Sequence, residues 1–302
     1  MSSGALRDKR NNKDYYKTYK CRQYVFTNFW FLLLYFINWI YRSLISDREE
    51  DSSKSGDNNY GARNLLLDSY KDMPDPYREQ IDLDLKRTFA DDDFINNQEH
   101  VNKTMNILLA YAKRNTAVGY CQGMNYLAGM IVRVVEDEED AFWVLTNLFE
   151  TILPLDYFWL MTEILIDQKI IIQILQKKKI KLFKHLQHIG LDFAIISFQW
   201  LIWLLSANLT KSVAESIWDF LFLEGSVTIF RGIIAILNIL EEEILKQEDF
   251  NDLYQILDNG PKQTISNPEV IIKQMSKFRY IKHSYIEKCR NRMRPLIMEE
   301  QK

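Results

Sequence analysis

The stretch SVTIFRGIIAILNILEEEILKQ, residues 226–247, decides the fold class. It is long, rich in Leu, Ile and Glu, and has the recurring apolar positions of an α-helix. Similar stretches follow one another along most of the chain with short breaks, and none repeats at the period of a solenoid. The 302 residues include only 10 glycines and 6 prolines, too few for the many turns of a β-sandwich or barrel. The sequence therefore predicts an all-α protein.

The composition narrows the class of protein. Hydrophobic residues make up 47% of the chain and charged residues 26%, a composition too apolar for a disordered protein. The formal net charge is −3, so the chain lacks the positive field that attracts nucleic acid, and we expect no nucleic-acid partner. Cys21, Cys121 and Cys289 lie too far apart for a zinc motif or a disulfide framework. Three widely spaced cysteines favour a reducing, cytoplasmic location, with association with a membrane as an alternative.

The chain divides into four predicted segments. Residues 1–23 are locally basic and are expected to form a flexible tail. Residues 24–45 are hydrophobic and aromatic, and are expected to form an additional N-terminal helix. Residues 46–59 are polar and are typical of a linker. Residues 60–302 then form a single multi-helix domain.

The uncharged run at residues 24–41 allows three interpretations. Its many aromatic residues, with Asn28 and Asn38 among them, favour a helix at a membrane interface or one buried against the protein. A membrane span is the second interpretation, but the basic residues that precede the run would then send the rest of the chain across the membrane. The third is that the run does not belong to the folded protein. The first interpretation includes peripheral contact with a membrane.

Apolar periodicity places the helices of the domain. They are predicted at residues 61–72, 76–89, 97–114, 123–135, 138–152, 155–177, 180–188, 191–205, 211–222, 226–247 and 249–257. Residues 269–294 are predicted to form one more, terminal helix that packs back on the domain. Asp137 is expected to cap the helix at 138–152, and Asn259-Gly260-Pro261 to end the helix at 249–257.

The segment QIDLDLKRTF, residues 80–89, carries the first candidate site. On a helix, Ile81, Leu85 and Thr88 fall on one inward face. Asp84 and Arg87 then become neighbours three residues apart beside that face, where the carboxylate can orient the guanidinium. Taken alone, this pattern is also that of an ordinary surface ion pair.

The segment VGYCQGMN, residues 118–125, carries the second candidate site. Gly119 and Gly123 enclose an aromatic residue and a glutamine directly before an apolar run, a pattern typical of a tight loop that leads into a helix. Gln122 is expected to point outward, and the first N–H groups of the helix could meet an anion. The spacing is neither that of a P-loop nor that of a dinucleotide fingerprint, so it does not support nucleotide binding by this chain itself. The alternative is a glutamine that merely caps the helix.

Both segments resemble motifs of TBC-domain proteins, the GTPase-activating proteins of Rab-type small GTPases. IDLDLKRTF is similar to the Ile-x-x-Asp-x-x-Arg motif, and VGYCQGMNYLAG to the Tyr-x-Gln-Gly-Met motif. Three later stretches resemble the same domain in the same order, namely LPLDYFWLM at 153–161, FQW at 198–200 and ESIWDFLFLEGSVTIFRGIIAIL at 215–237. The resemblance covers residues 60–250 and implies an all-α domain of the TBC type.

The resemblance also implies a function and a set of site residues. Arg87 would be an arginine finger and Gln122 a glutamine finger, supplied in trans to a Rab-type GTPase in its GTP-bound form. Supporting motif positions would be Ile81, Asp84, Thr88, Tyr120 and Gly123. GTP and Mg²⁺ would belong to the partner, so the resemblance implies no cofactor or metal of this chain's own. The chain would then be an activator that regulates vesicle traffic rather than an enzyme in itself.

Two alternatives stay open from the sequence. The chain could be a scaffold that binds a Rab-type GTPase without catalysis, although both finger residues are present. A stand-alone hydrolase that uses Cys121 or a histidine has less support, because no histidine lies near Cys121 in sequence to act as its base.

Overall fold

The computed structural model describes residues 76–90 and 94–300, and every regular element there is helical. In chain order the α-helices are α1 Arg78–Leu85, α2 Gln98–Arg114, α3 Met124–Val132, α4 Glu138–Asn147, α5 Thr162–Lys178, α6 Ile180–Ile189, α7 Phe193–Ile202, α8 Lys211–Glu224, α9 Val227–Ile244, α10 Phe250–Asp258, α11 Gly260–Thr264, α12 Pro268–Lys277 and α13 His283–Glu300. A π-helical turn, Leu148–Ile152, continues α4. The all-α prediction is confirmed for this part of the chain.

Several predictions fall on residues that the structure does not describe. These are the basic tail at 1–23, the aromatic helix at 24–45, the linker at 46–59 and the helix at 61–72. Among the helices of residues 76–90 and 94–300, none combines the length and the apolar character that crossing a bilayer requires.

The predicted helices are observed with shifted ends and two larger corrections. The helix predicted from residue 155 begins only at Thr162, because Pro154 precedes an irregular segment that buries Tyr157 and Phe158 side by side. The Tyr157 hydroxyl donates a hydrogen bond of 2.9 Å to the Leu201 carbonyl, which holds this segment against α7. Met161, the last residue before α5, has a left-handed φ of 54°.

The prediction of one terminal helix over 269–294 is wrong. Two helices, α12 and α13, occupy this region and are separated at residues 278–282. Phe278 and Ile281 are buried at the break, and the Ile281 carbonyl accepts bonds of 3.0 and 2.8 Å from Nε and Nη2 of Arg231. A continuous helix would have used that carbonyl internally, so the contact with α9 replaces a helical turn.

The stretch that decides the fold lies in the core. Along α9 the five consecutive residues Ile233, Ile234, Ala235, Ile236 and Leu237 are all fully buried. The middle of α9 is therefore central to the core, whereas Glu242 and Glu243 in its last turn are exposed. The expected cap of α4 is confirmed, because Asp137 Oδ1 accepts a bond of 3.0 Å from the backbone N–H of Asp140.

A buried arginine fixes the last helix to α5. Arg290 on α13 donates from Nε and Nη2 to the two carboxylate oxygens of Asp167 at 2.8 and 2.7 Å. Its Nη1 donates to Glu287 at 2.7 Å, and both terminal nitrogens lie 3.2 Å from the Ser226 hydroxyl. One turn further along, Arg294 Nε donates to Glu163 at 2.6 Å. These bonds lock α13 onto the domain.

Candidate functional site

The first motif ends a short helix and leaves its arginine in solvent. Ile81, Leu85 and Thr88 are buried as predicted, and the Thr88 hydroxyl donates a bond of 2.8 Å to the Asp84 carbonyl. The Asp84 side chain is only 3% exposed, whereas that of Arg87 is 58% exposed. Arg87 Nη2 donates to Asp84 Oδ1 at 2.5 Å. The pair is therefore not an ordinary surface ion pair, since a buried carboxylate orients an exposed guanidinium.

Aromatic packing holds the backbone that follows Arg87. Phe89 has a left-handed φ of 51°, an uncommon conformation for a bulky residue. The Arg133 guanidinium lies 3.8 Å from the centre of the Phe89 ring, and the Tyr126 ring meets that ring edge-on at 5.2 Å. The Tyr126 hydroxyl also donates to the Arg87 carbonyl at 3.2 Å. The packing thus fixes the chain on the C-terminal side of the exposed arginine.

Two glycines shape the loop of the second motif. Gly119 has φ +61° and Gly123 has φ +110°, both in the left-handed region. A Cβ at Gly119 would lie 2.2 Å from the Tyr77 hydroxyl oxygen, and one at Gly123 would lie 3.0 Å from Cγ1 of Ile202. A side chain at either position would strain the left-handed backbone and crowd Tyr77 or Ile202, so both positions favour glycine. The loop leaves Gln122 exposed directly before α3, as the sequence predicts.

The N–H groups at the start of α3 are already used. The Gly123 N–H donates to Asn125 Oδ1 at 2.9 Å, and the Met124 N–H donates to the Cys121 carbonyl at 3.1 Å. The expectation that these amides could meet an anion is wrong for both of them. These two amides therefore already have acceptors within the protein.

Two side-chain hydrogen bonds join the motif loops. The Tyr120 hydroxyl donates to Asp84 Oδ2 at 2.6 Å, so Asp84 binds Arg87 with one oxygen and Tyr120 with the other. Burial, followed by the hydrogen bond to Asp84, raises the pKa of Tyr120, which keeps it a neutral donor. Asn125 Nδ2 donates to the Thr88 hydroxyl at 2.8 Å. Residues flanking Arg87 thus contact residues flanking Gln122 across more than thirty positions of sequence.

A model of the Rab-GTPase-TBC domain family matches residues 18–245. The chain belongs to this family. Its relatives include TBC1 domain family member 2A of Homo sapiens, 34% identical over 210 residues that cover 68% of this chain and 22% of the relative. TBC1 domain family member 2B of Xenopus tropicalis is 34% identical over 198 residues, which cover 64% and 21%. The chain thus spans about a fifth of the length of these relatives.

Solved structures confirm the TBC fold. The TBC domain of the Chlamydomonas flagellar RabGAP has a TM-score of 0.65 at 22% identity, covering 78% of this chain and 76% of that one. The Ypt/Rab-GAP domain of Gyp1p has a TM-score of 0.64 at 22% identity, covering 72% and 78%. The family match begins at residue 18, upstream of the aromatic run. The division of the chain at residues 23, 45 and 59 stays a prediction.

Cys121 lies inside the second motif of the TBC domain without the environment of a nucleophile. Its thiol donates to the Gln122 carbonyl at 3.4 Å. Burial, and then the charge of Asp84, raises the pKa of the thiol to about 11, so it is protonated at neutral pH. A thiol-based hydrolase gains no support from this geometry.

The sequence reasoning missed Asn125. It is almost fully buried in the first turn of α3, an otherwise apolar helix with the sequence MNYLAGMIV. A single amide in such a run has to find hydrogen-bond partners within the protein, since burial without them is costly. That signal was present in the sequence, but the identity of its partner, Thr88, was not.

Proposed function

We propose that this chain is a GTPase-activating protein for Rab-type small GTPases and that it supplies Arg87 and Gln122 to the GTP-bound partner. Membership of the Rab-GTPase-TBC domain family supports the general activity. The two-residue mechanism rests on two hydrogen bonds, Tyr120 to Asp84 and Asn125 to Thr88. These bonds join the segment that carries Arg87 to the loop that carries Gln122. A protein that completes another protein's active site needs its reactive groups close together and open to solvent.

Arg87 has the chemistry to stabilise charge on a phosphate. During GTP hydrolysis negative charge develops on the β- and γ-phosphate oxygens, and a permanently charged, forked guanidinium neutralises it. A guanidinium has five N–H donors, so a bond to Asp84 orients it while others remain to contact the nucleotide. Tyr120 holds the Asp84 carboxylate in place, and Asp84 in turn orients Arg87. The Arg87 side chain therefore has less conformational freedom to lose when a partner docks.

Gln122 has the chemistry to align the attacking water. A neutral carboxamide can accept a hydrogen bond from the water through its oxygen and donate another to a phosphate oxygen through its nitrogen. It can therefore take the part that a GTPase's own glutamine plays in orienting the water. GTP and Mg²⁺ stay with the GTPase, and this chain contributes side chains alone.

The proposal is tested by single-turnover GTP hydrolysis with a broad panel of GTP-loaded Rab proteins. The unmodified chain should accelerate hydrolysis by at least one of them, and Arg87→Ala should lower that acceleration by about 10³ to 10⁵. Gln122→Ala should also lower it. Arg292→Ala is a matched control, because Arg292 is an exposed arginine on α13 whose side chain donates to Gln173, and it should have no effect.

Two outcomes would contradict the proposal. One is a panel in which no Rab protein is accelerated. The other is binding to GTP-loaded Rab that survives the joint replacement of Arg87 and Gln122 while the unmodified chain leaves the hydrolysis rate unchanged. The second outcome would make a non-catalytic scaffold the better account.

A further inference from the structure

One buried carboxamide connects the side chain of Thr88, next to Arg87, with the backbone of Gly123, next to Gln122. Asn125 is 1% exposed and reaches in both directions. Its Nδ2 donates to the hydroxyl of Thr88, the residue that follows Arg87, at 2.8 Å. Its Oδ1 accepts at 2.9 Å from the N–H of Gly123, the residue that follows Gln122. Arg87 and Gln122 are thus each followed in sequence by a residue that bonds to the same side-chain amide, that of Asn125.

The direction of these bonds leaves little choice of side chain. The hydroxyl of Thr88 uses its single proton in the bond to the Asp84 carbonyl, so it can only accept from Asn125. The Gly123 N–H can only donate. Position 125 therefore needs a donor and an acceptor on one short side chain, which a carboxamide has and an ionised carboxylate or an aliphatic group lacks. Thr88 is itself fully buried, so water cannot replace a lost partner.

We infer that Asn125 is a positioning residue that sets the spacing between Arg87 and Gln122. The inference rests on the proposed function, in which both side chains act on one docked GTP. Reacting groups have to be held close to their productive geometry, and a misplacement of about 1 Å can cost about 100-fold in rate. The bond from Tyr120 to Asp84 orients the Arg87 side chain, whereas Asn125 fixes the two backbones relative to each other.

The test uses the Rab protein that the unmodified chain accelerates most. Asn125→Leu has nearly the same shape but loses both the donor to Thr88 and the acceptor for Gly123, and Thr88→Val has the same shape but loses the acceptor. For both variants we expect kcat of the stimulated reaction to fall by about 10- to 100-fold while KM for the GTP-loaded Rab stays within about threefold. Thr88→Ser, which keeps the hydroxyl, should retain most of the activity.

Thr146→Val is the matched control for Thr88→Val. Thr146 is also fully buried, and its hydroxyl also donates to the carbonyl four residues before it, that of Phe142, at 2.9 Å. The two substitutions therefore remove the same kind of bond, from a buried threonine hydroxyl to the carbonyl four residues before it. Only Thr88 accepts a bond from Asn125 as well, so Thr146→Val should leave kcat unchanged. Thermal melting of every variant separates loss of fold from loss of spacing.

A double-mutant cycle separates positioning from a general structural role. If Asn125 sets a spacing between two groups, removing one of them makes the spacing irrelevant. In a Gln122→Ala background, Asn125→Leu should therefore lower the remaining acceleration by less than about threefold.

The inference is overturned if folded Asn125→Leu and Thr88→Val variants are as active as the unmodified chain. It is also overturned if the effect of Asn125→Leu is equally large with and without Gln122. Failure of the proposed function would look different, since the unmodified chain itself would then accelerate no Rab protein.

Discussion

Two arginine–aspartate pairs in this protein have nearly the same bond lengths and different surroundings. Arg87 lies 2.5 Å from Asp84, and Arg290 lies 2.7 Å from Asp167. The aspartate is buried in both pairs. The Arg87 side chain is 58% exposed, whereas the Arg290 side chain is 2% exposed. The pairs therefore differ in whether the guanidinium can reach anything outside the protein.

The difference in exposure means that the two arginines have different roles. Arg290 contacts Asp167, Glu287 and Ser226, so its donors are taken up inside the protein, and it joins α13 to α5. Arg87 bonds one carboxylate, and most of its side chain faces water. The buried Arg290 thus acts as a structural clamp, whereas Arg87 is held by a buried carboxylate and open to solvent, as the proposed function requires.

The largest expected effect comes from removing each arginine in turn and measuring stability. Arg290→Ala leaves the buried Asp167 carboxylate without its partner and should lower the free energy of unfolding by about 3–5 kcal/mol. Arg87→Ala should cost less, about 1.5–3 kcal/mol, because Asp84 keeps its hydrogen bond from Tyr120. Urea denaturation of both variants at pH 7 gives the two values. If both variants lost a similar amount of unfolding free energy, Arg290 and Arg87 would not differ in their structural role.

A smaller effect tests how firmly Asp84 is held. Tyr120→Phe removes a hydrogen bond to a charged carboxylate and should cost about 1.5–3 kcal/mol of unfolding free energy. Tyr157→Phe is the matched control, because Tyr157 is also buried but donates to a neutral carbonyl, that of Leu201, and should cost about 0.5–1.5 kcal/mol. A smaller loss for Tyr120→Phe than for Tyr157→Phe would contradict the view that Tyr120 fixes the Asp84 carboxylate.

The last effect is a pH dependence at Asp219 on α8, a third aspartate that extends the comparison. Burial, and then the nearby Glu215 carboxylate, raises its pKa from 3.8 to about 7. The folded protein therefore holds this proton more tightly than the unfolded chain does. The resulting stabilisation is complete below about pH 4 and is lost as the pH rises through 7, with a slope of at most about 1.4 kcal/mol per pH unit.

Asp219→Asn removes this titration, and unfolding curves between pH 5 and 8 provide the measurement. Unfolding free energy should fall more steeply with rising pH in the unmodified protein than in the variant. Parallel pH dependences for the two proteins would show that Asp219 titrates in the folded state as it does in the unfolded chain.

Periodicity and turn residues were sufficient to place most helices of residues 76–90 and 94–300. α9 and the cap at Asp137 follow directly from local sequence, since apolar spacing and an N-cap carboxylate act over a few residues. The segment at 153–161 and the break before α13 did not follow from it. Both depend on contacts with distant elements, Tyr157 with Leu201 and Arg231 with Ile281, and local periodicity does not encode such contacts.

At the candidate site, too, some features follow from local sequence and others depend on contacts between residues that are distant in sequence. The burial of Ile81, Leu85 and Thr88 was predicted from helical spacing and is confirmed, although α1 ends at Leu85 and Thr88 lies in the turn that follows. That Asp84 is buried, and that it binds Tyr120 36 residues later, depends on how the two loops pack. The motif resemblance indicated that Arg87 and Gln122 act together, but the bond between Asn125 and Thr88 is visible only in three dimensions.

The clamp at Arg290 also bears on how a shorter piece of this protein should be prepared. The family match ends at residue 245, and a fragment cut there would retain both motif loops. It would lack α13, so Asp167 would lose Arg290 and Glu163 would lose Arg294 inside the domain. A fragment intended for expression should therefore extend through residue 300, since the helix that neutralises these acids lies beyond the family boundary.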